Sequence, residues 1–147
     1  MKKALTYSLA AISTTAAIAL SPIAAHAGHH EKAEAAHEHT TLKAVKLDAE
    51  WCGSCKAITP KMAEAKANND FENVHFATID YTNKDKKAFW AEADALGMKT
   101  QLKEFLDGKP KTGLVILFDT QSNQIVDVIT KADSPEEMAN KLMAASA

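Results

Sequence analysis

Two cysteines, Cys52 and Cys55, are the only ones in the chain, and just two residues separate them. A thiolate is the nucleophile of disulfide exchange, and a second thiol close by can resolve the mixed disulfide that results. The segment Trp51-Cys52-Gly53-Ser54-Cys55-Lys56 lies where a strand-like run passes into a helical one. At a helix start the first sulfur meets unpaired N–H groups and the positive end of the dipole. Both favour its thiolate and lower its pKa below the free value of about 8.5. Cys55, one turn inside, is expected to be less exposed and to keep the higher pKa. The pair can close a small ring without moving the backbone far. A permanent staple is the other use of such a pair, but closing so short a loop removes little chain entropy.

A second group of chemically able residues precedes it. Gly28-His29-His30 would begin the chain if it is cut after Ala27. A free amine, two backbone nitrogens and a histidine at the third position can wrap Cu(II) or Ni(II) in a square plane, with His37 and His39 as further ligands. The bland alternative is a solvated tail. Together the two groups leave two functional classes open. One is an enzyme exchanging a dithiol for a disulfide. The other is a copper or zinc carrier using Cys52, Cys55 and the N-terminal histidines.

The elements that must position Cys52 can be read from periodicity. Leu42 to Leu47 alternates like a strand. A helix is expected from Cys52 to about Asn68, with Ile58, Met62 and Ala65 on one face and a kink at Pro60. Val74 to Asp80 is the next strand. Thr82-Asn83-Lys84-Asp85 fits a capping box opening a helix through Phe89, Trp90, Ala93 and Leu96. Gly97 interrupts it, and Met98, Leu102, Phe105 and Leu106 form the stripe of another helix that stops at Gly108. Leu114 to Phe118 is continuously apolar, as a central strand buried on both faces would be. Ile125 to Thr130 pairs with it as a hairpin. Ser134-Pro135-Glu136-Glu137 is a strong helix start, and Met138, Leu142 and Met143 are its packing residues. The order β-α-β-α-α-β-β-α predicts a three-layer α/β sandwich with a mixed four-stranded sheet, β-α-β plus β-β-α.

Composition narrows the setting. Lysine and arginine together number 17 against 19 acids, for a formal charge of −2, and no arginine is present. That balance argues against a nucleic-acid partner. Met1-Lys2-Lys3, a short apolar stretch to Leu20 and Ala25-His26-Ala27 read as a secretory signal peptide over residues 1–27. An uncleaved anchor is the alternative, though the stretch is short and diluted for a span. Residues 28–40 then form a His-rich flexible tail and residues 41–147 the folded domain. The expected destination is the periplasm, with the mature form not embedded in the membrane. There a cysteine pair can cycle through a disulfide.

Ala49-Glu50-Trp51-Cys52-Gly53-Ser54-Cys55-Lys56, followed by Pro60, closely resembles the active-site segment of the thioredoxin superfamily. The resemblance implies a thioredoxin-like fold over the domain and thiol–disulfide oxidoreductase chemistry, with Cys52 attacking and Cys55 resolving. Trp51 would form an apolar shelf beside the disulfide. No cofactor is required beyond that disulfide. The partners would be client protein thiols or disulfides and a membrane electron donor. Strongly oxidising members carry a histidine between the cysteines. Gly53-Ser54 lacks it, which leans towards a reductase or isomerase-like role.

The chain departs from the family at three points. Lys46 stands where an acid usually accepts the proton of the second cysteine. Asp48 or Glu50 could substitute, Lys46 could favour the thiolate by its charge, or Lys46 could be an ordinary exposed strand residue. Gly113, after Thr112, stands where the family places a cis-proline, so client docking could be looser or a metal could sit beside the sulfurs. Lastly, the segment from Asp80 to Gly113 carries a helical insertion, while the usual N-terminal strand and helix look truncated.

Overall fold

A computed structural model describes residues 41–147. The expected signal segment 1–27 and tail 28–40, including Gly28, His29, His30, His37 and His39, lie outside the described residues. Within them the order is β1 (Leu42–Asp48), α1 (Gly53–Ala67), β2 (Val74–Asp80), α2 (Lys86–Ala95), α3 (Lys99–Phe105), β3 (Leu114–Asp119), β4 (Gln124–Thr130) and α4 (Pro135–Ala145). The strands form one sheet in the order β2-β1-β3-β4. β1 runs parallel to β2 and antiparallel to β3, and β3 is antiparallel to β4. This is the mixed, three-layer architecture expected from the pattern of elements, with α2 and α3 between β2 and β3.

Strand alternation sends successive side chains to opposite layers. Leu42 and Ala44 of β1 join Val115, Leu117 and Ile129 beneath Ile58 of α1 and Met138 and Leu142 of α4. Val45 and Leu47 point the other way, to Ile116, Phe118 and the α2–α3 layer of Phe89, Ala93, Leu102 and Leu106. β3 is buried along its middle because it is central and covered on both faces.

Four local expectations need correction. Thr82 does not cap α2. Asp85 does, its carboxylate accepting the N–H groups of Lys87 and Ala88. An aspartate one residue before the helix outcompetes a threonine three residues further back, because only its oxygen reaches the free N–H groups. Phe105 and Met143 are not core residues but 44% and 43% exposed. They flank the stripes of Leu102–Leu106 and Met138–Leu142, which already cover the sheet. The β3–β4 ladder also slips between Leu117 and Phe118, leaving Val126 unpaired and exposed. By contrast, α4 starts as expected, with reciprocal bonds between Ser134 and Glu137.

α1 is the element that matters for chemistry. It begins just after Cys52, runs through Pro60 and stops at Asn68. Its first turn contains no acid and includes Lys56, so nothing on the helix neutralises the positive dipole end. No helix of the described residues is long and apolar enough to cross a membrane.

Candidate active site

Cys52 is the N-cap of α1, held by a tight turn in which its N–H donates to the Ala49 carbonyl at 3.0 Å. The Cys52 sulfur accepts the Cys55 N–H at 3.1 Å, one of the free donors of the helix start. A disulfide joins Cys52 to Cys55, with the Cα atoms 5.3 Å apart. Both are largely buried, Cys52 at 6% exposure and Cys55 at 2%. The first sulfur is therefore less open than its place at a helix mouth suggests, yet it remains the more accessible of the two. Ser54 and the exposed Gly53 complete the turn between them.

Gly113 closes the site from the other side. Its N–H donates to the Leu47 carbonyl at 2.8 Å, and the same oxygen lies 3.5 Å from Cys55 Sγ. Its φ of +83° favours glycine, and a Cβ built there would lie 2.6 Å from Ser54 Cβ and 3.4 Å from Cys52 Sγ. Glycine is thus required twice, by backbone conformation and by the close approach of α1. The half-buried Thr112 precedes it. The structure brings Gly113 to the disulfide.

Behind Cys55 lies an open cleft of about 290 Å³ lined by Lys46, Asp48, Glu50, Thr59 and Asp80, among others. Lys46 and Asp48 sit on one face of β1, the continuation of Leu42 and Ala44. Lys46 Nζ donates to Asp48 Oδ2 at 2.8 Å and to Thr59 Oγ1 at 2.7 Å. The Thr59 hydroxyl in turn donates to the Cys55 carbonyl at 2.8 Å. A hydrogen-bonded chain therefore runs from the Asp48 carboxylate through Lys46 and Thr59 to the backbone of Cys55. Lys46 is accordingly not a plain exposed strand residue. Its side chain is 21% exposed and fully engaged.

Trp51, next to Cys52 in the chain, is 51% exposed. Its indole N–H donates to the Thr82 carbonyl at 3.0 Å, and its ring meets Tyr81 edge-on. Glu50 is exposed, and its N–H donates to the Thr82 hydroxyl. Asp80 accepts two bonds from Thr82. The hydroxyl bond first, then the backbone one, pull its carboxyl below the usual range. Thr82, Asp80 and Thr59 were not legible as site residues. Thr82 and Asp85 mimic a helix-start motif, which hid the threonine's real partners. Among the described residues no group of three or more histidine, cysteine, aspartate or glutamate side chains is placed to hold a metal.

Comparison with known proteins finds a matching family and similar chains. The family model described as Thioredoxin matches residues 25–108, more than half of the chain. Among solved structures, Trxlp from Edwardsiella tarda EIB202 is similar at 16% identity, covering 70% of this chain and 82% of that one, with a TM-score of 0.47. The Malassezia sympodialis thioredoxin Mala s 13 shares 20% identity over 74% of this chain and 80% of its own, with a TM-score of 0.46. Oxidised thioredoxin from Plasmodium falciparum shares 21% identity over 74% and 84%, with a TM-score of 0.42. No curated protein sequence matches.

Proposed function

The chain belongs to the thioredoxin family and carries that family's thiol–disulfide oxidoreductase chemistry, and on that premise we propose that it is a periplasmic reductase of client-protein disulfides. The observation that carries the reading is the bonded Cys52–Cys55 pair at the start of α1, with the Cys55 N–H already aimed at the Cys52 sulfur. In the reduced protein that N–H, the dipole and the nearby Lys56 favour a Cys52 thiolate. The thiolate attacks one sulfur of a client disulfide and expels the other as a thiolate, leaving Cys52 in a mixed disulfide. The Cys55 thiol then gives up its proton and its sulfur attacks Cys52. The client leaves as a dithiol, and the enzyme is left in the oxidised form described here. A dithiol donor returns two electrons and two protons to begin again.

The proton of Cys55 needs an acceptor. Asp48 fills that role best. It lines the cleft behind Cys55, and Lys46 holds its carboxylate in place. Glu50 lines the same cleft from an exposed loop, but among the described residues no side chain bonds its carboxylate and fixes it. Before the acceptor acts, the Leu47 carbonyl can take a hydrogen bond from the Cys55 thiol. The glycine and serine between the cysteines favour reduction, since neither stabilises the thiolate as a histidine would. The address-like residues 1–27 support export, and a membrane protein would supply the electrons.

The experiment is an insulin-reduction assay with dithiothreitol, comparing wild type with Cys52→Ser, alongside a redox titration. The reading expects activity that disappears with the Cys52 sulfur and a potential of roughly −200 to −270 mV. A potential near −120 mV, that of a strong oxidant, would overturn the direction of electron flow. Cell fractionation with N-terminal sequencing tests the compartment. Release into the periplasmic fraction with Gly28 first supports it, and retention of residues 1–27 on cytoplasmic protein contradicts it.

A further inference from the structure

Thr82 is not explained by the cysteine chemistry, and it does not start α2. It lies in the loop between β2 and α2 and reaches across to the loop that carries Trp51 into Cys52. Its hydroxyl accepts the Glu50 N–H at 3.0 Å and donates to Asp80 Oδ1 at 2.5 Å. Its N–H donates to the same carboxylate oxygen at 2.9 Å, and its carbonyl accepts the Trp51 indole N–H at 3.0 Å. The neighbouring Tyr81 N–H donates to the Asp48 carbonyl at 2.9 Å. Tyr81 also meets the Trp51 ring with centroids 6.4 Å apart, and Lys84 Nζ lies 5.2 Å from that ring's centroid.

These bonds answer a physical problem. An indole half in solvent has too little packing to select one rotamer, so directional bonds must select it. The Thr82 carbonyl orients the ring, while the Thr82 hydroxyl fixes the height of the Glu50–Trp51 backbone. Asp80 supplies the anchor at the end of β2. Both loops emerge from the same end of the parallel β1–β2 pair, so a shift of either would move the indole relative to the Cys52 sulfur.

We propose that Thr82 is a positioning residue for client docking, which holds Trp51 in the orientation that an incoming disulfide-bearing segment meets. This deepens the reductase reading and rests on it. Only a side chain with a γ-oxygen serves. Valine keeps the shape but removes both hydroxyl bonds, whereas serine keeps them.

The test uses Thr82→Val and Thr82→Ser in a Trp90→Phe background, which leaves Trp51 as the sole tryptophan of the two in the chain. Insulin is the client and dithiothreitol the donor. Thr82→Val is expected to raise KM for insulin about five-fold, with kcat within about two-fold. It should lower the fluorescence anisotropy of Trp51 and shrink its emission change between oxidised and reduced protein. Thr82→Ser should restore all three, and in a Trp51→Ala background Thr82→Val should add nothing to KM. Unchanged KM and emission in Thr82→Val, or a KM effect that persists undiminished without Trp51, would overturn the proposal. If wild type reduces no insulin, the reductase reading fails. Trp51 anisotropy and emission then still decide whether Thr82 holds the indole: loss in Thr82→Val sustains that hold, and no change ends it.

Discussion

The two faces of β1 change character in opposite directions along the strand. Towards α2 and α3 the strand starts with Lys43, whose Nζ donates to the Leu96 carbonyl, and ends apolar, with Val45 and Leu47 fully buried. Towards α1 it starts with Leu42 and Ala44 and then turns polar, with Lys46 and Asp48 opening on a cleft behind Cys55. A sheet face that gives up apolar burial next to a redox-active sulfur gives up packing for chemistry. The contrast teaches that, at the end of β1 next to the disulfide, burial and reactivity are assigned to opposite faces of the strand, at positions one residue apart in sequence.

Substitutions can break that division, and the largest effects come from pairing one on each side. Leu102→Ala removes a fully buried side chain from the α2–α3 layer. It should cost about 3 kcal/mol in urea unfolding while the folded protein turns over insulin at close to the wild-type rate. Asp48→Asn should do the reverse. Unfolding should change by less than about 1 kcal/mol, since the pair with Lys46 is partly exposed. Resolution of the mixed disulfide, followed by stopped flow, should slow about a hundred-fold if Asp48 is the proton acceptor. Equal losses of stability and rate in both variants would erase the distinction.

Gly113 sharpens the comparison at the site itself. Gly113→Ala places a methyl against Ser54 and demands a φ that alanine resists. It should destabilise the protein by about 2 kcal/mol and lower activity, by thermal melting and insulin reduction. Adding Ser54→Gly should recover the part due to the clash but not the part due to φ.

The smallest effect lies far from the sulfurs, at the start of α4. Burial tends to raise the Asp133 carboxyl, but bonds from Thr130 and Lys141 outweigh it and hold it below the usual range. The backbone and side-chain bonds of Ser134 hold Glu137 below it as well. Because the folded-state values lie below the unfolded ones, 3.8 for Asp133 and 4.5 for Glu137, their stabilisation is complete above about pH 5 and is lost as pH falls through the folded values. The urea midpoint should therefore drop on going from about pH 5 to about pH 3, and less so in Asp133→Asn. Ser134→Ala should cost about 1 kcal/mol at neutral pH.

How legible each region was follows from how local its causes are. The start of α4 could be read outright, because Ser134, Pro135 and Glu137 act on their own helix within one turn. The central place of β3 followed from its continuous apolar run Leu114–Phe118, which has no other way to be buried. Cys52 and Cys55 announced themselves by spacing at a strand-to-helix passage. Thr82 was misread because its partners, Glu50 and Trp51, are some thirty residues away and no periodicity links them. The pairing of Lys46 with Thr59 was hidden for the same reason, since it depends on α1 lying across β1. Phe105 and Val126 show the limit of pattern alone. A stripe names the candidates for a core, but the area of sheet left to cover decides which of them enter it.

The most direct test of the central claim is the pH dependence of alkylation of the two cysteines in the reduced protein, read residue by residue by mass spectrometry. Cys52 should react first, with an apparent pKa clearly below the free-thiol value of about 8.5, and Cys55 should react later and at higher pH. Equal reactivity of the two sulfurs, or a Cys52 value at or above that of a free thiol, would contradict the assignment of Cys52 as the activated nucleophile.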